Sequence, residues 1–98
     1  MPAPNSLKPD SLKPETREIR LRRLTMRSMR RGIREMDIIL MRYVRARLEA
    51  LSVENLDTYD TLLDENDQDL YQWVSGQVPP PERYTAMISD IAAVPDTA

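Results

Sequence analysis

The chain of 98 residues has no cysteine, no histidine and only two glycines. Without cysteine there is no disulfide and no thiolate chemistry, and the redox compartment stays open. Without histidine the usual general base, the commonest metal ligand and the pH switch near neutrality are all missing. Two glycines are too few for a loop that cradles phosphates. These gaps point away from an enzyme. No apolar run approaches the roughly 20 residues that span a bilayer, and no secretory apolar core opens the chain. The arginine-rich segment near the start is compositionally close to an organelle transit peptide. It follows a proline-bearing tail with acids in it, however, and leads straight into the domain pattern. The chain therefore reads as a cytoplasmic protein that does not insert into membranes.

The net charge of −2 conceals a strong polarity. Residues 17–47 hold eleven arginines against three acids, a net of +8. Residues 48–98 hold eleven acids against Arg83 alone, a net of −10. Arginine suits bidentate pairing with carboxylates better than lysine does. Part of the asymmetry is expected to be satisfied internally, and the rest to steer a partner of opposite charge.

Residues 1–15 are proline-rich and repeat Ser-Leu-Lys-Pro once, with no apolar period, and are expected to form a disordered tail. A first helix is expected to start near Thr16, to carry Leu21, Leu24, Ser28 and Arg31 on one face and to end around Gly32. Ile33, Met36, Leu40, Val44, Leu48 and Leu51 recur at helical intervals and predict a second. Ser52 reads as the cap of a third helix, with Leu56, Tyr59 and Leu63 inward. Asn66 or Asp67 caps a short fourth that carries Leu70, Trp73 and Val74 and ends near Gly76. After the Pro79-Pro80-Pro81 connector, Tyr84, Met87, Ile88 and Ile91 predict a fifth. The expected architecture is all-α, a small five-helix bundle over residues 16–93 with a C-terminal tail over 94–98.

The acidic run from Asp57 to Asp69 lacks the glycine and the spacing of a calcium loop, so helix caps and a solvated face account for it. Trp73 reads as core rather than a stacking platform. Met26 and Met29 are the better surface candidates among the methionines, Met36 and Met41 being explained as well by core filling. The arginines keep open a second reading, a helical module that binds nucleic acid or another acidic partner. Against it stand the acidic half of the chain and the lack of any aromatic residue before Tyr43 in the basic segment.

The most informative stretch is Arg30-Arg31-Gly32-Ile33-Arg34-Glu35-Met36-Asp37. A glycine inside a helix costs about 1 kcal/mol against alanine, so Gly32 requires a reason. A corner between two helices with a solvated charged rim supplies one. A docking surface supplies another, where glycine admits a partner's backbone and the flanking charges set the register.

Arg31-Gly32-x-x-Glu35, with Arg27-Ser28 before it and Asp37 after, resembles the signature of the succinate dehydrogenase assembly factor 2 family. That family is also known as the bacterial SdhE, or flavinylation factor, family. Leu62-Leu63-Asp64, then Asp67-x-Asp69-Leu70-x-x-Trp73, a proline-bearing connector and a last helix extend the likeness over roughly residues 21–92. The resemblance implies a five-helix bundle that is not an enzyme and binds no cofactor stably. It implies binding to the flavoprotein subunit of succinate dehydrogenase, with fumarate reductase a further client in some bacteria. It also implies that the chain promotes covalent attachment of FAD to that subunit. The partner-binding residues it carries over are Arg31, Gly32 and Glu35, with Arg30 and Asp37 as neighbours; the free chain is expected to be a monomer.

Overall fold

A computed structural model describes residues 15–95. The described residues form five α-helices and no strand: α1 Arg17–Arg27, α2 Arg34–Arg47, α3 Val53–Leu62, α4 Asp67–Val74 and α5 Thr85–Ala92. Short 3-10 turns at Leu48–Ala50 and Glu82–Tyr84 follow α2 and precede α5. The tail expected over 1–15 lies outside the described residues except for Glu15. Val94, expected in a C-terminal tail, instead packs into the core as the last helical turn carries on to it.

Three helices start on a side-chain cap. The Thr16 hydroxyl accepts from the Ile19 amide, the Ser52 hydroxyl from Asn55, and the Asn66 carboxamide oxygen from Gln68. Each satisfies an amide that the first helical turn leaves without a partner. At the other end of α4, Gly76 takes φ 84°, with Gln77 N bonded to Gln72 O and Gly76 N to Trp73 O. That double closure needs a left-handed residue, which glycine supplies without strain.

The core is the apolar stripe of α2 packed on α4 and α5, with α3 lying against α5. Met36, Leu40, Tyr43, Leu56, Tyr59, Leu62 and Leu70 are fully or almost fully buried, and Leu63, Met87, Ile88 and Ile91 close around them. The rings of Tyr43 and Tyr59 meet with centroids 5.4 Å apart. Tyr43 hydroxyl donates to Asp90 at 2.7 Å, and Arg47 pairs with the same carboxylate, which ties α2 to α5. Trp73 is only partly buried: it lies on the rim against Tyr84, and tyrosines fill the centre expected for it.

The fold departs from the sequence reading at two helix ends. α1 stops at Arg27, not near Gly32, because the Ser28 hydroxyl turns back onto Leu24 O and the chain reverses at Arg30. The stripe expected to continue to Leu51 leaves the α-helix at Arg47 and tightens into a 3-10 turn. Arg17 reaches that turn and donates to Glu49 O and Leu51 O, a cation placed where helix carbonyls end.

Candidate functional site

The segment 28–33 is the corner between α1 and α2, and every layer beneath it is pinned. The buried Ser28 hydroxyl shares a hydrogen bond of 2.6 Å with the Tyr59 hydroxyl, tying the end of α1 to α3. Burial holds the Tyr59 phenol up at about 12, so it stays neutral. Arg30 then adopts φ 55°, the only positive φ of a non-glycine residue described, at a cost of about 1–2 kcal/mol. Its side chain is exposed and makes no ion pair or hydrogen bond among the described residues.

The next two residues are clamped from opposite directions. Asp37, in the first turn of α2, accepts the Arg31 amide. Asp67, at the start of α4, accepts the Gly32 amide on Oδ2 and Arg31 Nε on Oδ1, the latter at 2.7 Å. The Arg31 guanidinium also donates to Arg27 O at 3.0 Å and to Glu65 O at 3.3 Å. Its side chain is only 12% exposed. Arg31 and Asp37, read from the sequence as candidate contacts for a partner, thus have their polar groups committed within the chain. Glu35 stands apart: it is exposed on the outer side of α2 and has no partner among the described residues.

Gly32 is itself exposed, and its φ lies outside the left-handed region. A methyl group added there would meet Asp67 Oδ2 at 3.0 Å, tighter than ordinary contact. The glycine therefore makes room for a carboxylate of its own chain. The sequence reading offered a corner between two helices or a partner's backbone as the reason for the glycine, and Asn66 or Asp67 as the cap of α4. Because Asn66 takes the cap, the Asp67 carboxylate is free to reach the corner.

Asp67 ends a longer series. Arg20, Arg23, Arg27 and Arg31 descend one side of α1 and its exit, facing Asp57 and Asp60 on α3, Asp64 in the turn after it and Asp67 at the start of α4. Arg20 pairs with Asp57, Arg27 with Asp60 and Asp64, and Arg31 with Asp67. Arg23 holds Asp60 through two bonds of 2.8 and 3.0 Å and also grips Glu15 through two. The hydrogen bond from Arg23 keeps the Asp60 carboxyl below the usual carboxylate range. The acidic run is thus the counterpart of the arginines, the internal pairing expected for part of the charge asymmetry, where helix caps and a solvated face were expected to account for the run. Its signal in the sequence is the opposite net charge of the two halves, +8 over residues 17–47 and −10 over residues 48–98.

Beyond the corner, Arg34, Glu35, Ile38 and Arg45 share the exposed side of α2, with Ile38 48% exposed. Met26 and Met29 are 66% and 38% exposed, as the sequence suggested for surface methionines. Among the described residues no group of His, Cys, Asp or Glu could hold a metal ion, and no helix is long and apolar enough to cross a membrane.

Residues 22–95, the corner and all of the helical body but the first five residues of α1, match the Sdh5 family model, described as flavinator of succinate dehydrogenase. The chain belongs to this family. Its curated relatives include proteins named succinate dehydrogenase assembly factor 2, mitochondrial. That of Meyerozyma guilliermondii is 42% identical over 64 residues, 62% of this chain and 47% of the relative. That of Debaryomyces hansenii is 46% identical over 52 residues, 53% of this chain and 37% of the relative. That of Yarrowia lipolytica is 41% identical over 64 residues, 62% and 44% respectively. The chain thus spans less than half the length of these relatives. Their names overturn the cytoplasmic location expected from the sequence: each is a mitochondrial protein by name.

Proposed function

We propose that this Sdh5-family chain docks on the flavoprotein subunit of succinate dehydrogenase and promotes covalent attachment of FAD to it. The surface we assign to docking is the corner at Arg30 with the outer side of α2, Glu35 foremost and Arg34, Ile38 and Arg45 around it. One observation carries the assignment. At a corner where Arg31, Asp37 and Asp67 are all paired, Arg30 and Glu35 stand exposed without a partner among the described residues. Exposed charges around an apolar centre suit a complementary protein surface, which they orient more than they tighten.

On this reading the chain is not an enzyme. It has neither histidine nor cysteine, and the bond to FAD forms between the flavin and the partner's own side chain. Its contribution is to bind the competent arrangement of the partner more tightly than the others, which shifts the population toward it. FAD remains the partner's cofactor. The arginine-rich reading as a nucleic-acid module loses support, because Arg20, Arg23, Arg27, Arg31 and Arg47 are neutralised by carboxylates of the same chain.

Co-expression with the flavoprotein subunit tests the proposal, with flavin fluorescence on a denaturing gel reporting covalent attachment. Glu35→Ala is expected to dim that signal sharply while the thermal midpoint stays nearly unchanged, a surface change being worth within about 0.5 kcal/mol. A signal of equal strength with and without this chain would sink the proposal.

A further inference from the structure

We infer that Asp67 is the residue that positions the docking corner, and that Arg31 and Gly32 act through it rather than by touching the partner. The inference rests on the docking reading above. It divides the Arg-Gly-x-x-Glu signature in two: its first two residues build the corner, and Glu35, with Arg30 beside it, makes the contact.

Three observations converge on it. The Asp67 carboxylate spends both oxygens on consecutive residues of the corner, one on the side chain of Arg31 and the other on the amide of Gly32. A carboxylate bridging a guanidinium and a backbone amide fixes two directions at once, and charge-assisted bonds of this kind are the strong ones. The Arg31 guanidinium cannot turn outward without abandoning Asp67, Arg27 O and Glu65 O together. Finally, the space beside the Gly32 α-carbon is taken by Asp67 Oδ2, at 3.0 Å from where a methyl carbon would sit. A side chain at this position would press on a carboxylate of the chain itself, which must give way by a few tenths of an ångström before any partner arrives.

The consequence is geometric. Arg30 occupies a left-handed conformation that costs energy, and such a conformation persists only when its surroundings over-determine it. The amides of Arg31 and Gly32, held by Asp37 and Asp67, are those surroundings. Released, the corner would relax, and Arg30 would lose its fixed relation to Glu35.

A double-mutant cycle on the full chain separates the two roles of Gly32. Affinity for the purified flavoprotein subunit is measured for Gly32→Ala, Asp67→Ala and the double variant, and amide exchange at Gly32 is followed by NMR in the free chain. Each single variant is expected to weaken binding about tenfold or more, while the double variant is no weaker than the worse single. The Gly32 amide should exchange faster in Asp67→Ala, whereas Glu35→Ala weakens binding and leaves that exchange unchanged. If the two single losses multiply in the double variant, Gly32 faces the partner directly and the inference falls. Unchanged exchange at Gly32 in Asp67→Ala overturns it equally. Asp67→Asn keeps an acceptor and guards against global unfolding: the inference requires it to fall between wild type and Asp67→Ala in exchange and in affinity. Should Glu35→Ala bind like wild type, the docking reading fails by itself, and exchange in the free chain still judges the clamp.

Discussion

Between α1 and α3 the contact is made of charge. Arg20, Arg23 and Arg27 of α1 meet Asp57 and Asp60 of α3 and Asp64 just beyond it, and Arg31 past the end of α1 meets Asp67 of α4. Within its span α1 buries only Leu24. Between α2, α4 and α5 the contact is made of hydrocarbon and aromatic rings, with Met36, Leu40, Tyr43 and Leu70 at 0% exposure. The two seams differ in what they can contribute. Burying one large apolar side chain is worth about 1.5–3 kcal/mol. A partly exposed ion pair is worth about 0–1 kcal/mol and is screened by salt. The apolar seam therefore sets the stability of the molecule, and the charged seam sets where α1 lies. Register is what the charges add: Arg20, Arg23, Arg27 and Arg31 match Asp57, Asp60, Asp64 and Asp67 in one alignment. Sliding α1 by a single turn would leave a charge at each end without its mate.

The largest expected effect breaks the apolar seam. Leu40→Ala removes a fully buried side chain at the centre of α2 and should cost about 2–5 kcal/mol in denaturant unfolding. All helices should be lost in one transition, since α2 touches both α4 and α5. A loss under about 1 kcal/mol would mean that the charged seam carries more of the fold than its chemistry allows.

A smaller, local effect is expected from the charged seam. Asp60 serves Arg20, Arg23 and Arg27 together, so Asp60→Ala should cost about 1–3 kcal/mol. The loss should appear in α1: the Leu24 amide should exchange faster, with Leu40 little changed. Acid should act in the same way. The Arg23 hydrogen bonds hold the Asp60 and Glu15 carboxyls below their ordinary range. A depressed carboxyl contributes its full stability above its unfolded pKa, about 4, and loses it as pH falls through the folded value. Protection of α1 should thus be complete at neutral pH and fall away below about pH 4, before that of α2. Equal protection of α1 and α2 at pH 3 and in molar salt would contradict the comparison.

The same contrast explains what the sequence made legible. Apolar residues at intervals of three and four announce α2 and α5 because burial is a property of one helix face at a time. Thr16 and Ser52 announce their helices because a cap acts within three residues. The charged seam was legible in net charge only, because each pair joins residues at least 33 positions apart and exists only once α1 lies on α3. The end of α1 was misplaced for a related reason. Ser28 stops the helix with help from Tyr59, and the reversal falls at Arg30, where no glycine or proline marks it. Gly32 was correctly singled out as needing a reason, and the reason lay 35 residues away in Asp67.

The smallest expected effect on the fold comes from a residue that belongs to neither seam. Ile38 lies on the outer side of α2, 48% exposed, with Arg34 one turn before it and Arg45 two turns beyond. An isoleucine in that position adds little to folding, so Ile38→Ser should change the unfolding free energy by no more than about 0.5 kcal/mol. If the outer side of α2 docks as proposed, the half of Ile38 still in contact with water is buried by the partner. Its loss should then weaken binding by roughly fivefold, the equivalent of about 1 kcal/mol. That loss should persist in high salt, where contributions from Arg30 and Glu35 fade. An Ile38→Ser variant that binds the flavoprotein subunit like wild type would move the interface off α2 and back toward the corner alone. One that unfolds easily would place Ile38 in a seam, against the exposure observed for it.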